Sequence, residues 1–363
     1  MSSASPTAAA SGAPFLDSEA ALAPYLPQFE AQPRIAIDTE ADSLHCYFEK
    51  LCLIQISIPG NDLLIDPLAG FSLEPLFGAL AGKELIFHGA DYDLRLLRRV
   101  GFAGPARIFD TMIAARLCGL TEFSLAALIE KHFGVKLAKA SQKANWARRP
   151  LSPEMAAYAA MDTRYLFELA DIFTAEIHRL GRWEWFVESC ARAVRVTETS
   201  KERDNEEAWR ITGSGLLRGR AAAILRELWR WRDQEARAQD RPAFHILHNE
   251  QLIDAATRLD SGERVEFRQL HSGRLRRFEA AIERALLMPE SEWPTFVRNP
   301  RPRPTKEEEA RFRELKTRRD RAAEELKIDA SLIAPKATME SLAVNEAETA
   351  AKLMPWQRTI LGV

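Results

Sequence analysis

At 363 residues the chain exceeds the roughly 250–300 residues at which a single hydrophobic core stops growing, so more than one domain is expected. With 46% hydrophobic and 28% charged residues the composition is that of an ordinary globular protein, which excludes a disordered or crosslink-dependent class. The net charge of −2 is unevenly spread: residues 1–208 carry 21 basic and 28 acidic side chains, residues 209–294 carry 15 and 13, and residues 295–363 carry 14 and 11. An acidic segment suited to cations thus precedes two segments that favour polyanions. Cys46, Cys52, Cys118 and Cys190 form no CxxC pair, and three of them lie in apolar runs, which fits reduced thiols in a cytoplasm. No stretch approaches the roughly 18 consecutive apolar residues of a membrane-spanning helix.

Met1–Pro14 is Ser, Ala and Pro without the basic start of a signal peptide, and residues 1–20 are read as a flexible tail. Arg34–Asp38, Lys50–Ser57 and Asp62–Asp66 are short Ile- and Leu-rich runs that predict three adjacent strands, the last two separated by Pro59-Gly-Asn. Glu84–His88 and Arg107–Asp110 predict two further strands, each followed by a helix, Tyr92–Val100 and Thr111–Leu120. Helices are also predicted over Ser124–Phe133 and, with Pro at the first helical position, over Pro153–Leu180. Strands first, then βα alternation, describe one α/β domain ending near residue 200. Beyond Glu206 no strand is predicted; Gly219–Ala238, Asn249–Leu259 and Arg274–Leu287 have helical periodicity. Trp229 and Trp231 fall on the first of these helices as core residues. Pro300-Arg-Pro-Arg-Pro304 then breaks the chain before a charged helix over Thr305–Lys327.

Acidic residues recur at chosen places in this frame. Alternation along a strand sends Asp38 and Glu40 of Asp38-Thr-Glu40 to one side, two carboxylates within reach of one cation. Asp93 falls in the first turn of the helix that follows Glu84–His88, at the same carboxyl edge of the sheet, with Asp91 as the expected N-cap. Tyr158 and Asp162 are four apart on a helix and share a face, with small neighbours Ala156, Ala157, Ala159 and Ala160 that allow close packing on a sheet. Each feature alone has an ordinary explanation, such as a solvated strand end or an acid favoured by a helix dipole. Their combination and order do not.

In this order, Asp-Thr-Glu on a first strand, His88-Gly-Ala-Asp-Tyr-Asp93 and Tyr158-x-x-x-Asp162 resemble the three exonuclease motifs of the DEDD superfamily, Tyr subclass, most closely those of bacterial ribonuclease D and the exosome-associated exonucleases. Lys50-Leu-Cys-Leu-Ile-Gln-Ile and Trp146-Ala-Arg-Arg-Pro-Leu151 extend the likeness over most of residues 30–180. Ala41, where ribonuclease D often has Phe, and Asn145, where relatives commonly have Asp, depart from the pattern. Leu217-Arg-Gly-Arg-Ala, Asp240-Arg-Pro-Ala-Phe-His-Ile-Leu and Gln251-Leu-Ile resemble the HRDC domain that follows the nuclease in that family.

The resemblance implies a ribonuclease H-like mixed-sheet exonuclease domain over residues 21–203, followed by all-α domains. These are an HRDC-like domain over 209–294, a Pro/Arg linker over 295–304 and a second HRDC-like helical module over 305–363. It further implies 3′-5′ exoribonuclease activity releasing 5′-mononucleotides, as in tRNA maturation, with Asp38, Glu40, Asp93 and Asp162 holding two divalent cations, Mg²⁺ or Mn²⁺, and Tyr158 orienting the attacking water. A phenol of ordinary pKa about 10 is a poor general base at neutral pH, hence the orienting role. His88, Trp146 and Arg149 are candidates for contact with the substrate, an RNA with a free 3′ end; neither a membrane nor an obligate protein partner is implied. A DNA 3′-5′ exonuclease and an inactive nucleic-acid-binding scaffold are the alternatives.

Overall fold

The computed structural model describes residues 12–137, 141–198, 207–295 and 304–363. They fall into two compact units. The first comprises residues up to 41, 51–200 and 301–363; the second comprises Asp42–Lys50 and 201–300.

The first unit is built on a six-stranded mixed sheet of β1 (Phe15–Leu16), β2 (Arg34–Ala41), β3 (Leu51–Ile58), β4 (Asn61–Ile65), β5 (Glu84–Phe87) and β6 (Arg107–Asp110), in the order β1-β4-β3-β2-β5-β6. β2, β3 and β4 form an antiparallel meander, while β5 and β6 extend the sheet in parallel from β2, as βα crossovers require. β3 is buried over its whole length, a run of apolar residues covered on both faces. Helix Pro153–Arg164 lies across β2, β3 and β4, and helices Leu166–Arg179 and Trp183–Glu198 pack beside β5 and β6.

Several expectations are revised. Phe15–Leu16 pairs with Leu64–Ile65 and Ser18 caps a short helix, so only residues 1–11 of the expected tail lie outside the described residues. The long helix predicted over Pro153–Leu180 is two helices broken at Tyr165, whose φ of −100° and ψ of 3° leave the helical region. Asp91 is not an N-cap: Ala90 holds that position without a side-chain bond, and Asp91 pairs with Arg95 one turn on. Asp110 is the cap that sequence missed, accepting from the Met112 and Ile113 amides at the start of helix Thr111–Leu117.

The largest revision concerns the C-terminus. Residues 304–363 do not stand as a separate module but share a core with the sheet: Leu315, Ile333, Met339, Leu342, Trp356 and Leu361 belong to the same buried cluster as the β-strand side chains. Trp356 stacks on Trp185 with ring centroids 5.0 Å apart. Arg182, 5% exposed, donates to the carbonyls of Leu117 (2.5 Å) and Leu326 (2.6 Å), joining two helix C-termini whose carbonyls have no helical partner. Close approach is enforced at Gly119, where φ is +85° and a Cβ would strike the Lys327 carbonyl. Of the expected linker, 295–304, residues 296–303 lie outside the described residues.

The second unit is helical, with Gly219–Ala238, Asn249–Asp260 and Ser272–Leu286 around a core that includes Trp209, Leu228, Trp231 and Phe278. Trp231 is 2% exposed and Trp229 packs against the same core. Asp42–Lys50, placed by sequence in the exonuclease domain, belongs here: Tyr47 Oη donates to Asp233 (2.8 Å), and the Tyr47 and Phe48 amides both donate to Asp240 Oδ1. No described helix is long and apolar enough to cross a membrane.

Because the C-terminal helices complete the sheet's core, Trp356→Ala is expected to destabilise the first unit by roughly 3–5 kcal/mol, the usual cost of deleting a buried tryptophan. Denaturant unfolding followed by near-ultraviolet circular dichroism checks this. A loss below about 1 kcal/mol would mean that these helices form an independent module after all.

Candidate active site

The four carboxylates converge on one cleft at the C-terminal ends of β2 and β5. Asp38, Thr39, Glu40, His88, Gly89, Asp93, Tyr158 and Asp162 line it, in a cavity of about 540 Å³. In the antiparallel register Asp38 lies across from Gln55 and Glu40 from Leu53, so both acids face the helix that carries Tyr158 and Asp162. Pro153 and the Ser152 cap start that helix, and its buried Ala159 lets it settle on β3.

Asp38, Glu40 and Asp162 each bring an oxygen within 4.8 Å of the others, a set of hard ligands that fits a divalent cation. Asp93 lines the same cleft but stands outside this trio, its carboxylate held by Thr39 Oγ1 at 2.5 Å. Burial raises all four acids; repulsion among them adds to it at Asp38, Glu40 and Asp162, and repulsion from Asp110 at Asp93. Asp38 is driven well above the ordinary carboxylate range by burial and then by Asp93, Asp162 and Glu40. Glu40 rises to about 9 through burial, Asp162 and Asp93. Burial takes Asp162 to about 7 against a restraining hydrogen bond from Tyr158, and Asp93 to about 6 against the one from Thr39. Tyr158, also raised by burial and by the acids around it, stays a neutral phenol.

A second carboxylate fixes the motif around Asp93. Asp110, 2% exposed, accepts from the amides of Gly89 (3.1 Å), Ala90 (2.9 Å), Met112 (2.9 Å) and Ile113 (3.2 Å), clamping the turn before the Asp93 helix to the start of the next helix. Gly89 accommodates that turn at a φ of +85°. Thr111 Oγ1 donates to the Phe87 carbonyl at 2.9 Å, so it accepts in its contact with His88 Nδ1 at 2.9 Å, which places a proton on that nitrogen. Burial holds His88 below its ordinary range.

Two of the three candidates for substrate contact are committed elsewhere. Trp146 is 1% exposed and lies beneath Tyr158, ring centroids 6.1 Å apart, so its faces are not open to a base. The Arg149 guanidinium is engaged by both Asp66 oxygens, at 2.6 and 2.7 Å, and by the Trp146 and Cys52 carbonyls, leaving it a strut rather than a phosphate ligand. His88 does line the cleft. Tyr92, Leu125, Leu137 and Gln142 line it too, and sequence gave no sign of them. Gln142 is the group that holds the Tyr158 phenol down against its rise, yet nothing in its residue type or spacing marks it.

Raised carboxylates reverse the usual pH dependence of an acid's contribution. The folded form keeps protons that the unfolded chain releases near pH 4, so stability conferred by them is present at low pH and is lost as pH rises through about 6, 7 and 9. In chelator, the thermal midpoint is therefore expected to fall between about pH 5 and pH 9, and Glu40→Gln to flatten the upper part of that fall. Parallel curves for the two proteins would refute a shared field in the cleft.

Comparison with known proteins agrees with this geometry. Residues 15–178 match the 3′-5′ exonuclease family and residues 221–272 the HRDC domain. A ribonuclease D from Jannaschia sp. (strain CCS1) is 33% identical over 288 residues, 75% of this chain and 74% of the relative. Among solved structures, a protein from Bifidobacterium adolescentis superposes with a TM-score of 0.80 at 25% identity, over 96% of this chain and 95% of the other. Escherichia coli RNase D, titled an exoribonuclease involved in structured RNA processing, superposes with a TM-score of 0.69 at 27% identity, over 95% and 92%. The order of motifs, the sheet and the two matched domains agree: the chain belongs to the ribonuclease D family.

Proposed function

We propose that this protein shortens RNA from a free 3′ end by metal-dependent hydrolysis, releasing 5′-mononucleotides. The observation that carries the reading is the convergence of Asp38, Glu40 and Asp162 on one point in the cleft, with Asp93 and Tyr158 beside them. Asp38, Glu40 and Asp162 would hold one divalent cation and Asp93, with Asp38, a second, Mg²⁺ or Mn²⁺. Bound there, such cations would supply charge stabilisation and an activated water.

The protein's own groups do the rest. Tyr158 keeps its proton and directs the attacking water by hydrogen bonding, while Gln142 and Asp162 hold the phenol in place. Glu40 accepts from the terminal 3′-hydroxyl, which confines hydrolysis to free ends. The walls formed by Tyr92, Leu125 and Leu137 offer apolar surface to the last nucleotide. Structured RNA, the substrate class named for the Escherichia coli relative, and tRNA precursors among it, are the substrates this reading favours. The free cysteines suit action in a cytoplasm.

Asp38→Ala and Asp93→Asn are each expected to lower kcat on a 5′-labelled oligoribonucleotide by about a thousandfold or more, ~4 kcal/mol of barrier, without loss of stability, because each removes repulsion in the folded state. Gel assays with Mg²⁺ or Mn²⁺ beside thermal unfolding check this; activity near wild type in either variant would falsify the assignment. On the wild type, a 3′-phosphate is expected to block shortening. Equal or higher kcat/KM on matched single-stranded DNA would move the reading to a DNA exonuclease.

A further inference from the structure

β3 contains one residue that its surroundings do not explain. In Leu51-Cys-Leu-Ile-Gln-Ile-Ser-Ile58 every position is buried, and Gln55 is 0% exposed. Neither its Nε2 nor its Oε1 has a hydrogen-bond partner among the described residues. Ser57, two positions on, is by contrast satisfied, bonding to Asp62 at 2.6 Å and Thr163 at 2.7 Å. Gln357 donates to the Leu332 carbonyl and accepts from the Met354 amide. An orphaned buried polar group costs about 1–3 kcal/mol, so an apolar residue at position 55 would suit the folded chain better.

The position of Gln55 points to its use. It lies directly across from Asp38 in the β2–β3 register, and opposed residues share a face with Cβ atoms roughly 4.5–5.5 Å apart. The same face carries Ser57, whose bond to Thr163 fixes the helix turn next to Asp162. The carboxamide is therefore bounded by the Asp38 strand on one side and the Asp162 helix on the other. It is an uncharged donor next to acids that must all be ionised at once to hold cations.

We propose that Gln55 is a positioning residue of the cation site, its Nε2 donating to the Asp38 carboxylate when the site is loaded. This rests on the reading of the cleft as a cation site. A neutral donor fixed in the core can orient the Asp38 carboxylate without cancelling its charge as a lysine would. The orphaned Nε2 of the folded chain then gains an acceptor when the site is loaded, which ties the orientation of Asp38 to cation binding.

Gln55→Leu separates this from a packing role. In chelator the variant is expected to unfold at the same temperature as wild type or higher, since an orphaned polar group is gone. Mn²⁺ affinity, read by electron paramagnetic resonance of the free ion, is expected to fall about tenfold or more, as for other residues that orient ligands. On an oligoribonucleotide kcat should fall while KM stays within about twofold of wild type. Should the branched side chain misfold, Gln55→Met gives the same test with an unbranched one. Unchanged Mn²⁺ affinity and kcat in a folded variant would overturn the proposal, and so would lower stability in chelator with unchanged Mn²⁺ affinity, the mark of packing alone. A wild type that binds no Mn²⁺ would instead overturn the cation site itself, and the role of Gln55 with it.

Discussion

Everything in the nuclease unit serves one unfavourable arrangement, four carboxylates drawn together in a half-buried cleft. Left to themselves, Asp38, Glu40, Asp93 and Asp162 separate into solvent; burial raises all four, and neighbouring carboxylates add to it. What opposes this is rigid scaffolding. Two acids are two residues apart on a paired strand, one is in a helix clamped by Asp110, and one is on a helix seated by small residues and by the Ser57–Thr163 bond. Such preorganisation suits a site that must meet concentrated positive charge without rearranging.

The clamp at Asp110 shows how this scaffold differs from the site it serves. It is a carboxylate in the same region, yet four amide donors at 2.9–3.2 Å satisfy it fully. The four acids of the cleft have fewer such donors and more acidic neighbours. Two carboxylates of similar burial are thus given different duties by the number of N–H groups aimed at them.

Much of this was legible in sequence because it is periodic. Alternation placed Asp38 and Glu40 together, and the four-residue spacing placed Tyr158 above Asp162. The order of strands and helices gave the α/β unit. What was illegible depends on tertiary partners that no local pattern encodes. Trp146 and Arg149 read as substrate contacts because exposed aromatics and arginines often are, yet burial beneath Tyr158 and pairing with Asp66 claim them. The C-terminal helices looked autonomous because helix Lys306–Leu326 is highly charged; its few apolar residues, Leu315 and Ala323 among them, suffice to join the sheet's core. Gln142 carries no periodic signal, and it matters only because the chain returns it to Tyr158.

The shared core also has a consequence in time. Arg182 reaches the Leu326 carbonyl across 144 residues of chain, and the Trp356 amide reaches Glu188 across 168. Contacts so distant in sequence form late, after the loop between them has been synthesised and its closure entropy met. On a ribosome the chain emerges from its N-terminus, so all four carboxylates and Tyr158 are out long before helix Pro355–Leu361 can seal the core behind them. The nascent enzyme thus carries its full set of reactive groups while its framework is still open.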